Sequence, residues 1–198
     1  LRPAIGDGLT IVQMPLVRST FEATLTAVWC DEVADGARAM VNEDVRQRRN
    51  LAAELAKTHT LADLAQTVAH LDLVALETSS ADQARQFQQL AADIAMDGAY
   101  ATYRMLSHLS HPGIKVVDEY MVADDPANPE DVEFRREPDP MTSASAFAGI
   151  LACNLVWAGM VANYYDPTRT LRNSLRAAAR KLGVKPELYV QYNASRRA

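Results

Sequence analysis

The chain has 198 residues, 48% of them hydrophobic and 23% charged, enough for one domain over residues 1–198 with a core of ordinary size, which excludes disorder as its overall state. Its net charge of −5 excludes a protein that holds nucleic acid mainly through an extended basic surface, because counterion release needs clustered Lys and Arg. A local basic pocket stays open.

Apolar residues recur at helical spacing through almost the whole chain, and Gly and Pro fall mostly between these segments. The pattern predicts a mainly α fold: a helical bundle with one long central helix and a short hairpin or irregular insert near 113–140. From Leu9 to about Glu32, Ile11, Met14, Val17, Phe21, Leu25 and Val28 form one apolar stripe, and Pro15 either kinks this helix or marks its start. Asp35 and Gly36 punctuate a second helix to about Lys57. Thr60 with Asp63 resembles a capping box ahead of a third, whose apolar face is Leu61, Leu64, Val68, Leu71 and Val74. Ser80 with Gln83 opens a long helix expected to reach Ser110, closed by Pro112, with His111 at or just beyond its last turn. Between Gly113 and Pro140 the residues turn β-branched or alternating around an acidic connector, which predicts a short hairpin or a helical turn and a loop.

The most apolar run, Ala144 to Ala162, approaches the length that crosses a bilayer. Ser145, Asn154 and two glycines interrupt it and no flanking Lys or Arg anchors it, so a buried central helix, not a membrane span, is expected. Asp166 and Pro167 then read as the start of a basic helix from Thr168 to Leu182, ended by Gly183, and a last short helix is expected over Pro186 to Asn193. The basic tail from Leu171 to Arg197 is most simply a solvated helix face. Cys30 and Cys153 lie in apolar helix-like stretches and read as reduced core residues of a cytoplasmic protein, with a disulfide left open. No spaced Cys, His or carboxylate motif calls for a metal, and nothing calls for a cofactor. No secretory signal is visible, and Leu at position 1 leaves open a longer parent chain.

One stretch stands out chemically. In AYATYRMLSHLSHPG, Tyr100, Arg104, His108 and His111 are spaced by four, four and three, which puts them on one helical face, while Leu106 and Leu109 point elsewhere. A second polar pair, Arg18 and Glu22, lies four apart on the first helix and adjoins its apolar stripe instead of opposing it. If those two helices pack, Glu22 is placed to orient Arg104 or a histidine, and Arg18 adds positive charge. Each residue also has a structural reading: Arg18 with Glu22 as a surface pair, His111 as a cap on the last carbonyls, His108 as a solvent-facing side chain.

The segment from Arg104 to His111 fits the R-x(4-6)-H signature of the HEPN superfamily, all-α domains of bacterial toxins, abortive-infection proteins and CRISPR-associated ribonucleases, which the chain resembles. The order of LVRSTFEATLTAVW, YATYRMLSHLSHPG, a short insert and a long apolar helix also resembles an uncharacterised bacterial family of helical proteins. That second likeness runs from about Leu16 to Tyr165, with an Arg and Glu on the first helix and a Tyr-Arg-x-Leu-Ser-x-x-x-His-Pro segment. The HEPN likeness implies a metal-independent endoribonuclease acting in toxin or phage defence, with a composite site across a homodimer and an antitoxin or other protein partner. It implies His111 as the proton-transfer group and Arg104 as the cation on the phosphorane oxygens, with Tyr100, Tyr103 or Ser107 positioning the phosphate. The competing expectation is a non-catalytic helical dimerisation or nucleotide- and anion-binding domain using Arg18, Glu22, Arg104 and His111. A third, a small-molecule enzyme in a helical cleft, lacks the E-x-x-H pair of a di-iron bundle.

Overall fold

In the computed structural model, which describes residues 8–58, 76–125 and 128–191, the first helix, α1, runs Met14–Glu32 behind a single 3-10 turn at Ile11–Gln13. The Gln13 side chain closes the entrance by accepting from the Thr10 backbone N–H and hydroxyl at 2.8 and 2.7 Å. Pro15 therefore sits in the first turn, where its missing N–H is not needed by the helix ladder, and it starts the helix instead of kinking it. Every member of the predicted stripe, Ile11, Met14, Val17, Phe21, Leu25 and Val28, is buried. Such burial is worth about 1.5–3 kcal/mol for each large side chain, which commits this face to the interior.

The described residues fall into two compact units. The second comprises residues 28–58, 76–95 and 189–191. It contains α2 (Gly36–Thr58), α3 (Ala81–Arg85) and α4 (Phe87–Asp93), with Trp29, Ala39, Ala52, Leu90, Ala91 and Ile94 buried. The predicted end of α2 is met to within a residue; the third predicted helix, Leu61 to Val74, lies outside the described residues.

The predicted continuous helix from Ser80 to Ser110 is absent, and the backbone shows why. Gln86 and Ile94 are both extended, and Ile94 pairs antiparallel with Val190. The Ala95 N–H reaches the Tyr189 carbonyl at 2.7 Å, and the Gln191 N–H reaches the Asp93 carbonyl at 2.6 Å. Gly98, at φ +75°, supplies the left-handed residue that lets the next helix, α5 (Ala99–Ser110), start afresh. The same bridge corrects the expected last helix: the described part of that stretch is irregular and ends extended at Val190, because its backbone groups bond to residues 93–95.

The first unit comprises residues 8–27, 96–125 and 128–188. After α5, the insert contains both forms anticipated for it: a helical turn, α6 (Ile114–Asp118), and an antiparallel hairpin of β1 (Met121–Asp125) and β2 (Asn128–Phe134). Met121 pairs with Phe134 and Asp125 with Asn128, with an irregularity between Ala123 and Asp125. Helix α7 (Ala144–Tyr165) follows, then α8 (Arg172–Leu182). The start of α8 is later than the sequence suggests because the Asp166 carboxylate accepts from the Thr168 N–H and hydroxyl at 2.9 and 2.8 Å, fixing a separate turn. Those bonds hold the Asp166 carboxyl below its ordinary range. Gly183, at φ +70°, ends α8 as predicted, with the Val184 N–H closing onto the Ala179 carbonyl.

Helix α7 is only partly buried, where the sequence suggests a buried central helix. By length and composition it is able to cross a membrane, and most of its apolar surface is not buried. Phe147, Asn154, Val156, Trp157, Met160 and Asn163 face inward, while Leu155, Tyr164 and Tyr165 are exposed. An apolar composition on all sides gives no period from which to read the inward face. The Asn154 amide is buried without a hydrogen-bond partner among the described residues. Both cysteines are free and half-buried, and burial raises their thiol pKa values and keeps them protonated.

Among the described residues there are eight α-helices and one two-stranded sheet, so the protein is mainly α.

Candidate functional site

Arg18 and Glu22 stand one turn apart on α1, at the edge of the face that carries Val17 and Phe21 into the core. The helix therefore fixes both Cα positions, and the side chains leave the core edge together. The Arg18 Nε donates to Glu22 Oε1 at 2.7 Å, with the two side chains 20% and 34% exposed.

Facing them is α5. Buried Ala99 and Leu106 hold this helix to the unit's interior, and Pro112 forces the preceding residue out of the helical region. His111 accordingly adopts φ −95° and ψ 143°, its N–H still bonded to the Ser107 carbonyl at 3.2 Å. In that position its imidazole Nε2 lies 2.6 Å from Arg18 Nη1. The remaining guanidinium nitrogen, Nη2, donates to the Tyr103 hydroxyl at 3.4 Å, a long bond, and the guanidinium carbon lies 5.3 Å from the Tyr103 ring centroid. Tyr100 stacks on Tyr103 at 5.9 Å and 27°.

The chemistry of this contact is constrained by its donors. A guanidinium has only N–H groups, so in this contact His111 Nε2 is the acceptor. Arg18 is thus held by three partners at its three nitrogens, and it presents a fixed positive charge beside an exposed proton acceptor. Pinning one cation from several sides reduces the reorganisation needed when an anion arrives.

The residues singled out in the sequence divide accordingly. Arg18, Glu22, Tyr103 and His111 are joined, Tyr100 buttresses them, and half-buried Ser107 contributes its carbonyl to the placement of His111. Arg104 and His108 are exposed and bond to no other described side chain. Glu22 orients Arg18, and Arg18 in turn holds the histidine; Glu22 makes no bond to Arg104. The spacing of Arg104 and His111 was visible within one helix, whereas the Arg18 to His111 contact spans 93 positions and depends on how α1 meets α5. The only sequence signal for it was an arginine placed beside an apolar stripe. Among the described residues no group of three His, Cys, Asp or Glu is arranged to hold a metal ion.

A polar cluster that sequence reasoning missed lies in the second unit. Asp35 accepts from the Thr78 hydroxyl at 2.8 Å, the Ser79 N–H at 2.7 Å, the Ser79 hydroxyl at 3.1 Å and the Ser80 hydroxyl at 2.7 Å. Burial pushes its carboxyl up, but the bonds from Ser80, Thr78 and Ser79 outweigh that and bring it down to about 2. Asp35 was legible only as helix punctuation, since the residues that bind it are more than forty positions away.

Residues 6–128 match the family of unknown function DUF5677, and the chain belongs to that family. The matched span includes α1 and α5, and with them Arg18, Glu22, Tyr103 and His111. No curated protein and no solved structure matches.

Proposed function

For this member of a family without an assigned function, we propose metal-independent cleavage of RNA at the Arg18–His111 cluster. The observation that carries the reading is the 2.6 Å contact between a permanently cationic guanidinium and the acceptor nitrogen of an exposed imidazole, with a tyrosine hydroxyl beside them. Those are the groups that transesterification of RNA requires: a proton carrier, and a multidentate cation for the phosphorane oxygens. The resemblance of Arg104 to His111 to the HEPN signature points the same way.

In this mechanism an incoming phosphate takes Arg18 Nη1 as its donor and frees His111 Nε2. The imidazole removes the 2′-hydroxyl proton as the 2′ oxygen bonds to phosphorus. It returns that proton to the 5′ oxygen as the bond from phosphorus to the 5′ oxygen breaks. The products are a 2′,3′-cyclic phosphate and a 5′-hydroxyl. Glu22 keeps Arg18 in place, and exposed Arg104, next to Tyr103, lends a second cation to the strand.

The test is incubation of the purified chain with labelled RNA in EDTA. Cleavage leaving cyclic phosphate, lost in His111→Ala and in Arg18→Ala proteins that keep their helical circular dichroism, supports the proposal. RNA left intact across varied sequences and structures overturns it. The acid excess of the chain favours a second reading, in which the same cluster holds a small anion or nucleotide without cleaving it. Nucleotide binding that depends on Arg18, with no RNA cleavage, would establish that one.

A further inference from the structure

A second concentration of cationic side chains lies on and beside α8. Between Pro167 and Pro186 the chain carries Arg169, Arg172, Arg176, Arg180, Lys181 and Lys185 and no Asp or Glu, although its net charge is −5. The rest of the chain is therefore more acidic than the total suggests.

The helix sorts these charges. Arg172, Arg176 and Arg180 recur every fourth residue, so they form one row with steps of about 6 Å along the axis. Arg172 and Arg180 are exposed and have no carboxylate partner among the described residues; Arg176 is shared with Glu187 at 3.3 Å. Arg169 adds to the row's N-terminal end: it stands at φ +49°, an unusual conformation for a side-chain-bearing residue, with its guanidinium 5.4 Å from the Tyr164 ring centroid.

The flank of α8 that adjoins the row is already occupied. Leu175 packs directly over Gly159 of α7, and Ala179 is fully buried. A basic amphipathic helix that enters a bilayer needs a continuous apolar face free to insert, and here Leu175 and Ala179 are spent inside the unit. What remains outward is a row of planar, permanently charged donors at a separation of the same order as neighbouring phosphates on a nucleic-acid strand.

We propose that the Arg172, Arg176 and Arg180 row is a docking strip for the phosphate backbone of single-stranded RNA, holding the strand without reading its bases. The inference goes beyond the cleavage reading and does not depend on it.

The experiment measures binding of a fluorescein-labelled single-stranded RNA by anisotropy across a salt series, in a His111→Ala protein so that cleavage does not intervene. Arg172→Ala with Arg180→Ala is expected to weaken binding roughly tenfold and to flatten the slope of log K against log salt by about 1.4, at about 0.7 per cation for single strands. Arg48→Ala, which removes an exposed cation from α2, leaves both quantities unchanged. Unchanged circular dichroism and melting of the double variant confirm that only the surface was altered. The proposal is overturned if the double variant matches its parent in affinity and slope, if Arg48→Ala weakens binding equally, or if the double variant loses binding to phosphatidylserine vesicles while keeping RNA. Strip-dependent binding by a protein that cleaves no RNA retains the strip and sinks the cleavage reading. Conversely, cleavage of a dinucleotide by Arg172→Ala with Arg180→Ala, together with unaltered strand binding, leaves the cleavage reading standing and removes the strip.

Discussion

Two arginine–glutamate pairs, one in each unit, use the same chemistry to different ends. On α2, Glu43 is 6% exposed and accepts from Arg46 Nε and Nη2 at 2.7 and 2.6 Å, and from Gln47 at 2.9 Å. All three bonds stay within two turns of one helix. The Arg46 bonds, more than the opposing cost of burial, hold the Glu43 carboxyl below its usual range. On α1, Arg18 gives only its Nε to Glu22 and extends its other nitrogens to His111 and Tyr103 of another helix. A pair that closes on itself serves stability; a pair that reaches outward to a titratable, exposed group has capacity left for a ligand.

That contrast is sharpest in the response to losing each partner. His111→Ala is expected to lower the proposed RNA cleavage by roughly a hundred- to ten-thousand-fold while leaving the urea midpoint within error, because the imidazole is exposed. A midpoint that falls along with activity would make His111 a structural cap and erase the distinction. Glu43→Ala should do the reverse, costing about 2 kcal/mol through its charge-assisted bonds and leaving kcat unchanged in the folded fraction; equilibrium urea denaturation reads the first and initial rates the second.

Acid separates the regions next. The folded Asp35 carboxyl lies at about 2, below its unfolded value near 4. Its contribution is therefore fully present above about pH 4 and is lost as the pH falls from about 4 to 2. Asp35→Asn should flatten the decline of the thermal midpoint within that window, and an unchanged acid limb would mean that the Thr78–Ser80 tether contributes nothing. The smallest effect belongs to Glu22→Gln. The Arg18 pair is partly solvated, so about 0.5 kcal/mol is at stake, and cleavage should fall roughly two- to threefold. A loss as large as that of His111→Ala would show that Glu22 does more than hold Arg18.

Much of the helical framework was legible because helices announce themselves locally. The α1 stripe, the end of α2 and the closure of α8 at Gly183 each follow from residues within a few turns. The failures share a cause as well. The segment from Ser80 to Ser110 has helical spacing throughout, yet Ile94 breaks it to pair with Val190, a residue 96 positions later. The inward face of α7 was equally hidden, since a helix apolar all round carries no period to read.

The site divides along the same line. Sequence alone determined that His111 leaves the end of a helix, because Pro112 restricts the residue before it, and that Arg18 and Glu22 share a face, because they are one turn apart. Only the tertiary structure decided that Arg18, and not Arg104, bonds to His111. Helical spacing relates residues on one element. Which elements meet depends on how the whole chain buries side chains such as Val17, Phe21 and Leu106, a choice made by packing between distant segments.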